Sequence, residues 1–208
     1  REQIFERLLA TEAEVNLEEI TTGAFMGDDT AVDAVRGARR KLSVLMENFH
    51  IDDTGGAPAS YITSVARKIH IERGSIGLIV VDYLHLMTVD NSQSKTDALG
   101  QAVKSLRDLG KELKCPVLLL SQLNRQGENA GTGAQRARRP ELSDLRGSGD
   151  IEQSADVVMF LYRDSYYDDH GYVPDDDVVE VLIRKHRNGR TGFTSLRWMP
   201  KFVKFADL

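Results

Sequence analysis

The sequence predicts an α/β fold with a mainly parallel sheet that is flanked by helices. Short aliphatic runs, such as the one over 77–82, alternate with longer stretches of helical periodicity. Each run is too short for a helix and too apolar for an exposed strand, which is typical of parallel strands that are buried on both faces. Strands that alternate with helices indicate right-handed crossover connections. After Tyr172 the β segments follow one another without helices, which predicts a C-terminal antiparallel hairpin extension.

Apolar spacing places the individual elements along the chain. Leu99, Val103 and Leu106, for example, recur at helical spacing. The predicted helices cover about 2–15, 30–47, 58–72 and 95–114. The predicted strands lie near 49–53, 76–82, 116–122 and 155–162, and then at about 178–186, 192–198 and 201–205 around the turn dipeptide Asn188-Gly189.

Composition indicates one globular domain in the cytoplasm. Of the 208 residues, 41% are hydrophobic and 28% are charged, which is enough for a full core. No apolar stretch approaches the ~20 residues that a membrane span needs. The single Cys115 begins a predicted buried strand, so neither a disulfide nor a zinc cluster is expected. Because the chain starts with Arg1 inside a helical pattern, we expect 1–208 to be a single domain truncated at its N-terminal side.

Polar residues follow three of the predicted strands at their C-terminal ends. Asp82 closes one aliphatic run, Gln122 follows a second and Arg163 follows a third. Open α/β sheets bind ligands at this edge, so we predict one functional edge there. A carboxylate at this place suits Mg²⁺ in a nucleotide-hydrolysing protein, although a simple cap explains a lone Asp82 equally well. Gln122 fits either an ordinary loop amide or a residue that orients water or senses a phosphate.

Charge is partitioned along the chain, although the net charge is only -5. Residues 164–180 hold seven carboxylates and no Lys or Arg, whereas 184–204 hold seven Lys or Arg and no carboxylate. The first segment predicts a solvated loop and the second a basic surface. A third region, 124–146, is rich in Gly and Arg and lacks apolar periodicity, which predicts a mobile functional loop. Because phosphate binding depends on local basic patches, nucleic acid stays a candidate partner.

Two cations lie near the predicted hairpin turn. Lys185 and Arg187 share a strand face with Ile183, since alternate residues of a strand point the same way. We expect the apolar part of that face to pack on the sheet and the cations to project at the tip. Projecting cations suit a nucleic acid or the γ-phosphate of a nucleotide on a neighbouring subunit. From charge alone, a solubilising hairpin end is the simpler interpretation.

Four ordered blocks carry a resemblance to a known family. They are GLIVVDYLHLM, PVLLLSQLNR, RRPELSDLRGSGDIEQSADVVMFLYR and IRKHRNGRTG. In this order and spacing they resemble the C-terminal RecA-like ATPase domain of bacterial DnaB-type replicative DNA helicases, over essentially the whole chain. The resemblance implies a RecA-like P-loop NTPase core, ATP and Mg²⁺ as cofactors, and a homo-hexamer that moves along single-stranded DNA by hydrolysing ATP at subunit interfaces. It also implies primase and a helicase loader as partners.

The resemblance implies roles for individual residues. Asp82 resembles the acid that supports Mg²⁺ beside ATP, and Gln122 resembles the residue that links phosphate state to the DNA-binding loops. Lys185 and Arg187 match hairpin cations that reach the adjacent subunit's nucleotide and stabilise charge on the transferring phosphoryl group. The positions that match the DNA-backbone loop, together with the nearby arginines that we assign to DNA binding, are Arg146, Gly147, Gly149, Arg125, Arg136, Arg138 and Arg139.

The chain departs from the family pattern in two places. The family commonly has Glu after the loop arginine, where this chain has Gly147. No phosphate loop of the form G-x-x-x-x-G-K-S/T occurs in the chain. We therefore expect that loop and the catalytic base to lie upstream of Arg1, and we expect the 208-residue fragment alone to be inactive.

Three alternatives to a replicative helicase stay open from the sequence. A RadA-like recombination ATPase shares the RecA core and its parallel strands. A phage-type primase-helicase carries the same core beneath a primase domain. A non-catalytic assembly or loader-binding fragment is favoured by the missing phosphate loop.

Overall fold

The computed structural model describes residues 2–84, 95–123, 138–145, 148–164 and 178–208. Within these ranges the chain forms six α-helices and six β-strands. The helices are α1 (Glu2–Ala13), α2 (Leu17–Thr22), α3 (Asp29–Met46), α4 (Ala59–Arg73), α5 (Lys95–Leu113) and α6 (Ser148–Ser154). The strands are β1 (Ile79–Val81), β2 (Val117–Leu119), β3 (Val157–Tyr162), β4 (Val178–His186), β5 (Gly192–Met199) and β6 (Lys204–Asp207).

The described strands form two sheets. One is the pair β1-β2, which is parallel, and the other has the order β3-β4-β5-β6. Strands β5 and β6 are antiparallel. The connection between the hydrogen-bonded neighbours β4 and β5 covers only 187–191, and so short a connection joins antiparallel strands. The parallel pair and the C-terminal hairpin confirm the predicted α/β class.

Local chemistry sets several helix ends. The Asp28 carboxylate accepts hydrogen bonds from the backbone N–H groups of Thr30 and Ala31, at 2.8 and 3.3 Å, so it caps the start of α3. Helix α4 ends at Gly74, where φ is 82° and a side chain would be strained. Both signals are visible in the sequence, and the predicted bounds of these two helices agree with the structure to within one residue.

The chain divides into two compact units. The first comprises Arg1–Asp53, Arg163–Val181 and Thr194–Leu208. Its core is formed by α1 and α3 together with the α1–α2 connection, because apolar residues at helical spacing face one another. The buried members are Leu9, Val15, Val35, Ala38 and Leu42.

The second unit, Thr54–Tyr162 with Leu182–Phe193, holds the larger core cluster. Helix α5 contributes Leu106, which is 1% exposed, and β4 contributes Leu182, also 1% exposed. The last residue of β1, Val81, packs in the same cluster as Phe160 of β3. One face of each of these strands is therefore buried against a shared core.

The opposite faces of these strands correct the prediction of burial on both sides. Alternate residues of the aliphatic runs are each 40–64% exposed, in contrast to the buried residues between them. They are Leu78, Val80, Leu118, Leu120, Val157, Met159 and Leu161. The apolar composition of the runs was read correctly, but no described element covers this face.

Three element predictions were wrong or missing. The strand expected at 49–53 does not form, because no described strand pairs with this short run. Phe49 is exposed there, and the run ends in two acidic residues that are followed closely by two glycines. Helices α2 and α6 were not predicted, since six and seven residues are too few to show a clear apolar period. The available signal for α2 was Asn16, whose side chain accepts the N–H of Glu18 at 3.0 Å.

In the described part of the chain, no helix combines the length and the apolar character that crossing a membrane requires.

Candidate functional site

Asp82 and Gln122 lie at the same edge of the parallel pair. In the register of β1 and β2, Val81 pairs with Leu119. The N–H of Leu120 donates to the Val81 carbonyl at 3.0 Å, and the ladder continues beyond both strands. Because parallel strands run in one direction, Asp82 and Gln122 both follow the C-terminal ends of neighbouring strands. We name these two residues the strand-end pair.

Three polar side chains at this edge, those of Asp82, Ser121 and Gln122, have no hydrogen-bond partner among the described residues. Asp82 and Gln122 are exposed, and neither side chain hydrogen-bonds another described residue. The Ser121 Oγ is buried and has no hydrogen-bond partner among the described residues. The Asp82–Tyr83 peptide bond is cis. An exposed acceptor, an amide and an unpaired hydroxyl are thus adjacent along one sheet edge.

The donor set at this edge fits a hard divalent cation such as Mg²⁺. Among the described residues there is no group of three or more His, Cys, Asp or Glu side chains that could hold a metal ion. Magnesium needs no such cage, since it commonly takes one or two carboxylates and completes its shell with water and substrate phosphates. The exposed carboxylate of Asp82 fits that arrangement. A zinc site built by the described residues is not supported.

The third strand of the predicted edge does not join the first two. Strand β3 belongs to the other sheet, so Arg163 follows a strand that is not hydrogen-bonded to β1 or β2, and its place at a shared functional edge stays a prediction. Tyr162, at the end of β3, is buried, and the guanidinium carbon of Arg139 lies 5.6 Å from its ring centroid. That contact is a cation–π pair within the second unit.

Lys185 and Arg187 bind the C-terminal end of α6. The Lys185 Nζ donates to the main-chain carbonyl of Glu152, and the Arg187 Nη2 donates to that of Gln153 at 2.8 Å. The last carbonyls of a helix lack partners within the helix and carry partial negative charge, so cations stabilise this end. The expectation of two cations projecting freely from the hairpin was therefore wrong. We call Lys185, Arg187 and the end of α6 the cation cluster.

The DNA-binding candidates are only partly described. Arg125, Arg136, Arg146 and Gly147 lie outside the described residues. Arg138 donates to the Asp144 carboxylate at 2.6 Å and lies 3.8 Å from Glu141, so two carboxylates offset its charge. Arg139 contacts Tyr162 as described above. Gly149 lies in the first turn of α6, where a Cβ would meet no atom within 4 Å.

Sequence reasoning missed two acidic residues that shape these groups. Asp144 pairs with Arg138, and Asp156 binds the Arg187 guanidinium with its Oδ1 at 2.7 Å. Asp156 is separated from Arg187 by 31 residues. The only available signal was a single carboxylate before a strand, which is too common to single out.

Cys115 is a core residue, as expected. It packs with Ala66, Leu109 and Leu113 in a buried cluster. Burial disfavours the charged form and raises the pKa of its thiol, which is the opposite of what a nucleophilic thiolate requires.

Comparison with known proteins shows which family the chain matches. The family model for the DnaB-like helicase C terminal domain matches residues 1–207. The chain is 39% identical over 208 residues to "Replicative DNA helicase DnaB" of Pasteurella multocida and 35% identical over 217 residues to "Replicative DNA helicase DnaC" of Bacillus subtilis. Each match covers 100% of this chain but only 43% of the relative, so the chain spans less than half the length of these curated relatives.

Solved structures agree with the family match. One, described as a DnaB-like replicative helicase and its interactions with primase, has a TM-score of 0.84 at 33% identity, covering 98% of this chain and 47% of its own. A second, described as an ATPase domain, has a TM-score of 0.83 at 33% identity, covering 97% of this chain and 69% of its own. These matches confirm the RecA-like fold and favour the DnaB-type interpretation over a RadA-like recombination ATPase. The chain belongs to the DnaB-like helicase C-terminal domain family.

Proposed function

We propose that this chain is part of the ATPase motor of a replicative DNA helicase. The complete protein would translocate on single-stranded DNA and unwind the duplex at the replication fork. The observation that carries the proposal is the strand-end pair, because an exposed carboxylate and an exposed amide follow adjacent parallel strands in a chain of the helicase family. A RecA-like fold binds its ligand at this edge of the sheet.

The strand-end pair would serve the nucleotide. Asp82 would hold Mg²⁺ through its exposed carboxylate, and Gln122 would contact a phosphate or the attacking water with its amide. When MgATP is bound, ATP supplies the phosphoryl group that is transferred, and the Mg²⁺ ion offsets part of the negative charge on that group. Neither side chain has to break a hydrogen bond or an ion pair with a described residue before it binds a ligand.

The cation cluster would serve a nucleotide on the neighbouring subunit. Lys185 and Arg187 lie on the hairpin, and the family resemblance assigns such cations to the adjacent subunit's ATP. Cations fixed in place before the reaction stabilise charge that develops in the transition state, and they need little rearrangement to do so. The contacts with α6 support this role because they limit the number of positions that the two side chains can take.

DNA would be bound through its phosphates. We assign this contact to Arg146, Gly147 and Gly149, with further positive charge from Arg125, Arg136 and Arg139. Arg138 would contribute less than the others, because Asp144 and Glu141 already offset its charge. Contacts of this kind fix the strand without reading its sequence.

The proposal includes an assembly and partners. A homo-hexamer would place each hairpin beside the next subunit's nucleotide, and primase and a helicase loader would bind the complete protein in the cytoplasm. A solved relative is described by its interactions with primase, which supports that partner. Residues 1–208 would act as one domain of the ring, with both compact units belonging to it.

The test uses Asp82→Asn in the complete helicase, with Asp108→Asn as the control. Both substitutions neutralise an exposed aspartate of the second unit, but Asp108 lies on α5 and pairs with its neighbour Arg107 at 3.3 Å. We expect Asp82→Asn to lower Mg²⁺-dependent ATP turnover by about 10²-fold or more, because the cation loses the carboxylate that would support it at this edge. Turnover of Asp108→Asn should stay normal. Full ATPase activity in Asp82→Asn would overturn the proposal.

A further inference from the structure

The guanidinium of Arg187 is held on two sides by the second unit. Its Nη1 donates to the Asp156 Oδ1 at 2.7 Å, and its Nη2 donates to the Gln153 carbonyl at 2.8 Å. The backbone N–H of Arg187 also donates to the main-chain carbonyl of Asp156 at 2.9 Å. The backbone and the head of the side chain are therefore both bonded to the same short segment, 153–156, which comprises the end of α6 and its connection to β3.

These contacts leave part of the guanidinium available. A guanidinium has five N–H donors in a rigid plane, and the contacts with Asp156 and Gln153 use two of them. Two bonds at different nitrogens favour one position and one tilt of a planar group. The directions of the three remaining N–H donors are consequently set by the segment that carries Asp156.

We propose that Asp156 is a positioning residue for Arg187. Its carboxylate sets the direction in which Arg187 presents its remaining donors to the phosphoryl group of a nucleotide on the neighbouring subunit. The inference rests on the proposed function, in which Arg187 acts across a subunit boundary. Asp156 itself acts only through Arg187 and is not a catalytic residue.

The exposure of the Arg187–Asp156 ion pair limits how much turnover can be lost when Asp156 is removed. The side chains of Arg187 and Asp156 are 48% and 64% exposed, so water screens their attraction. Exposed ion pairs favour one geometry only weakly, which corresponds to a roughly 2- to 5-fold change in its population. The loss of Asp156 should therefore be far milder than the ~10³-fold loss expected when an arginine finger itself is removed.

The experiment measures steady-state ATP turnover of the complete helicase on single-stranded DNA. We expect Asp156→Ala to lower kcat about 2- to 5-fold and to leave KM for ATP unchanged, because nucleotide binding does not need the oriented cation. Asp156→Asn keeps one acceptor oxygen and should recover part of the loss. In an Arg187→Lys background, Asp156→Ala should have less effect, since the planar group that it orients is gone.

The matched control is Glu112→Ala. Glu112 accepts two hydrogen bonds from Arg67, at 2.8 and 2.7 Å, and the two side chains are 50% and 46% exposed in the same unit. Its removal breaks an ion pair of similar exposure, so a general effect of lost surface charge would appear in both variants. We expect the control to keep its kcat, and we expect the two variants to unfold at similar temperatures.

The outcomes separate this inference from the proposed function. An unchanged or raised kcat in Asp156→Ala, while Arg187→Ala is inactive, would overturn the positioning role and leave the proposed function standing. Full turnover of Arg187→Ala would overturn the trans role and the positioning role together. If Asp156→Ala fails to fold, Asp156→Ser replaces it in the same test, because serine also lacks the carboxylate that accepts from Nη1.

Discussion

The strand-end pair and the cation cluster differ in how the fold holds them. Asp82 and Gln122 are placed by the backbone ladder of β1 and β2, and their side chains make no hydrogen bond or ion pair with another described residue. Lys185 and Arg187 are placed by side-chain contacts with the end of α6 and with Asp156. The first region is positioned by main-chain register, and the second by contacts of its own side chains with two main-chain carbonyls and a carboxylate that lie 31 to 34 residues away in the sequence.

The difference predicts how each region responds to change. A site that is fixed by strand register should tolerate most nearby side-chain substitutions, provided that the core behind the strands stays packed. A site that is fixed by exposed side-chain contacts should respond to substitutions in graded steps, because each contact contributes a little and water competes with it. Comparing substitutions in the two regions can therefore separate the effect of misplacing a functional group from the effect of removing it.

The largest effect is expected from Arg187→Ala in the complete helicase. We expect turnover to fall on the order of 10³-fold or more, with nucleotide binding retained, because an arginine finger acts mainly on the transition state. Steady-state ATPase assays and a nucleotide-binding titration would measure the two quantities. Equal losses in binding and turnover would contradict a transition-state role.

Mixing two inactive variants tests whether the cation acts in trans. One variant is altered at Asp82 and the other at Arg187, and subunit exchange between their rings is verified first. Some interfaces of a mixed ring then have both groups intact, so partial activity should return. If exchange restores no activity, Arg187 serves its own subunit or the DNA instead.

A smaller effect is expected in the core behind the strand-end pair. Val81 is buried in the shared cluster, whereas Val80, beside it on β1, is 54% exposed. Val81→Ala removes two buried methyl groups and should lower the free energy of unfolding by about 2 kcal/mol. Val80→Ala is the matched control and should change it by less than about 0.5 kcal/mol. Chemical unfolding of the 208-residue chain, followed by circular dichroism, would compare them, and equal losses would contradict the one-sided burial of β1.

The smallest effect concerns DNA binding by single arginines. If Arg146 contacts one phosphate, Arg146→Ala in the complete helicase should lower the salt slope of single-stranded DNA binding by about 0.7 and weaken all sequences alike. Arg138→Ala should change the slope less, because Asp144 and Glu141 offset that charge. Fluorescence anisotropy at several salt concentrations measures both slopes. A larger change of the salt slope in Arg138→Ala than in Arg146→Ala would contradict our assignment of the phosphate contact to Arg146.

Much of the fold was predictable because it follows local rules. The bounds of α3, α4, α5 and β4 agree with the predictions to within one residue, since apolar period, caps and turn residues act over a few positions. The segment at 49–53 and helices α2 and α6 were not predictable in this way. Their outcome depends on a pairing partner or on tertiary contacts that a short window does not contain.

The fold class, the family and the candidate groups could be predicted from the sequence, because ordered motifs and strand-end residues are properties of neighbours along the chain. The edge shared by Asp82 and Gln122 was predicted, but the tertiary structure was needed to show that β1 pairs with β2 and that β3 lies in another sheet. The tertiary structure also decided that Asp156 holds Arg187 across 31 residues. Contacts between distant residues depend on how complete elements pack, and a single carboxylate or arginine in the sequence does not specify its partner.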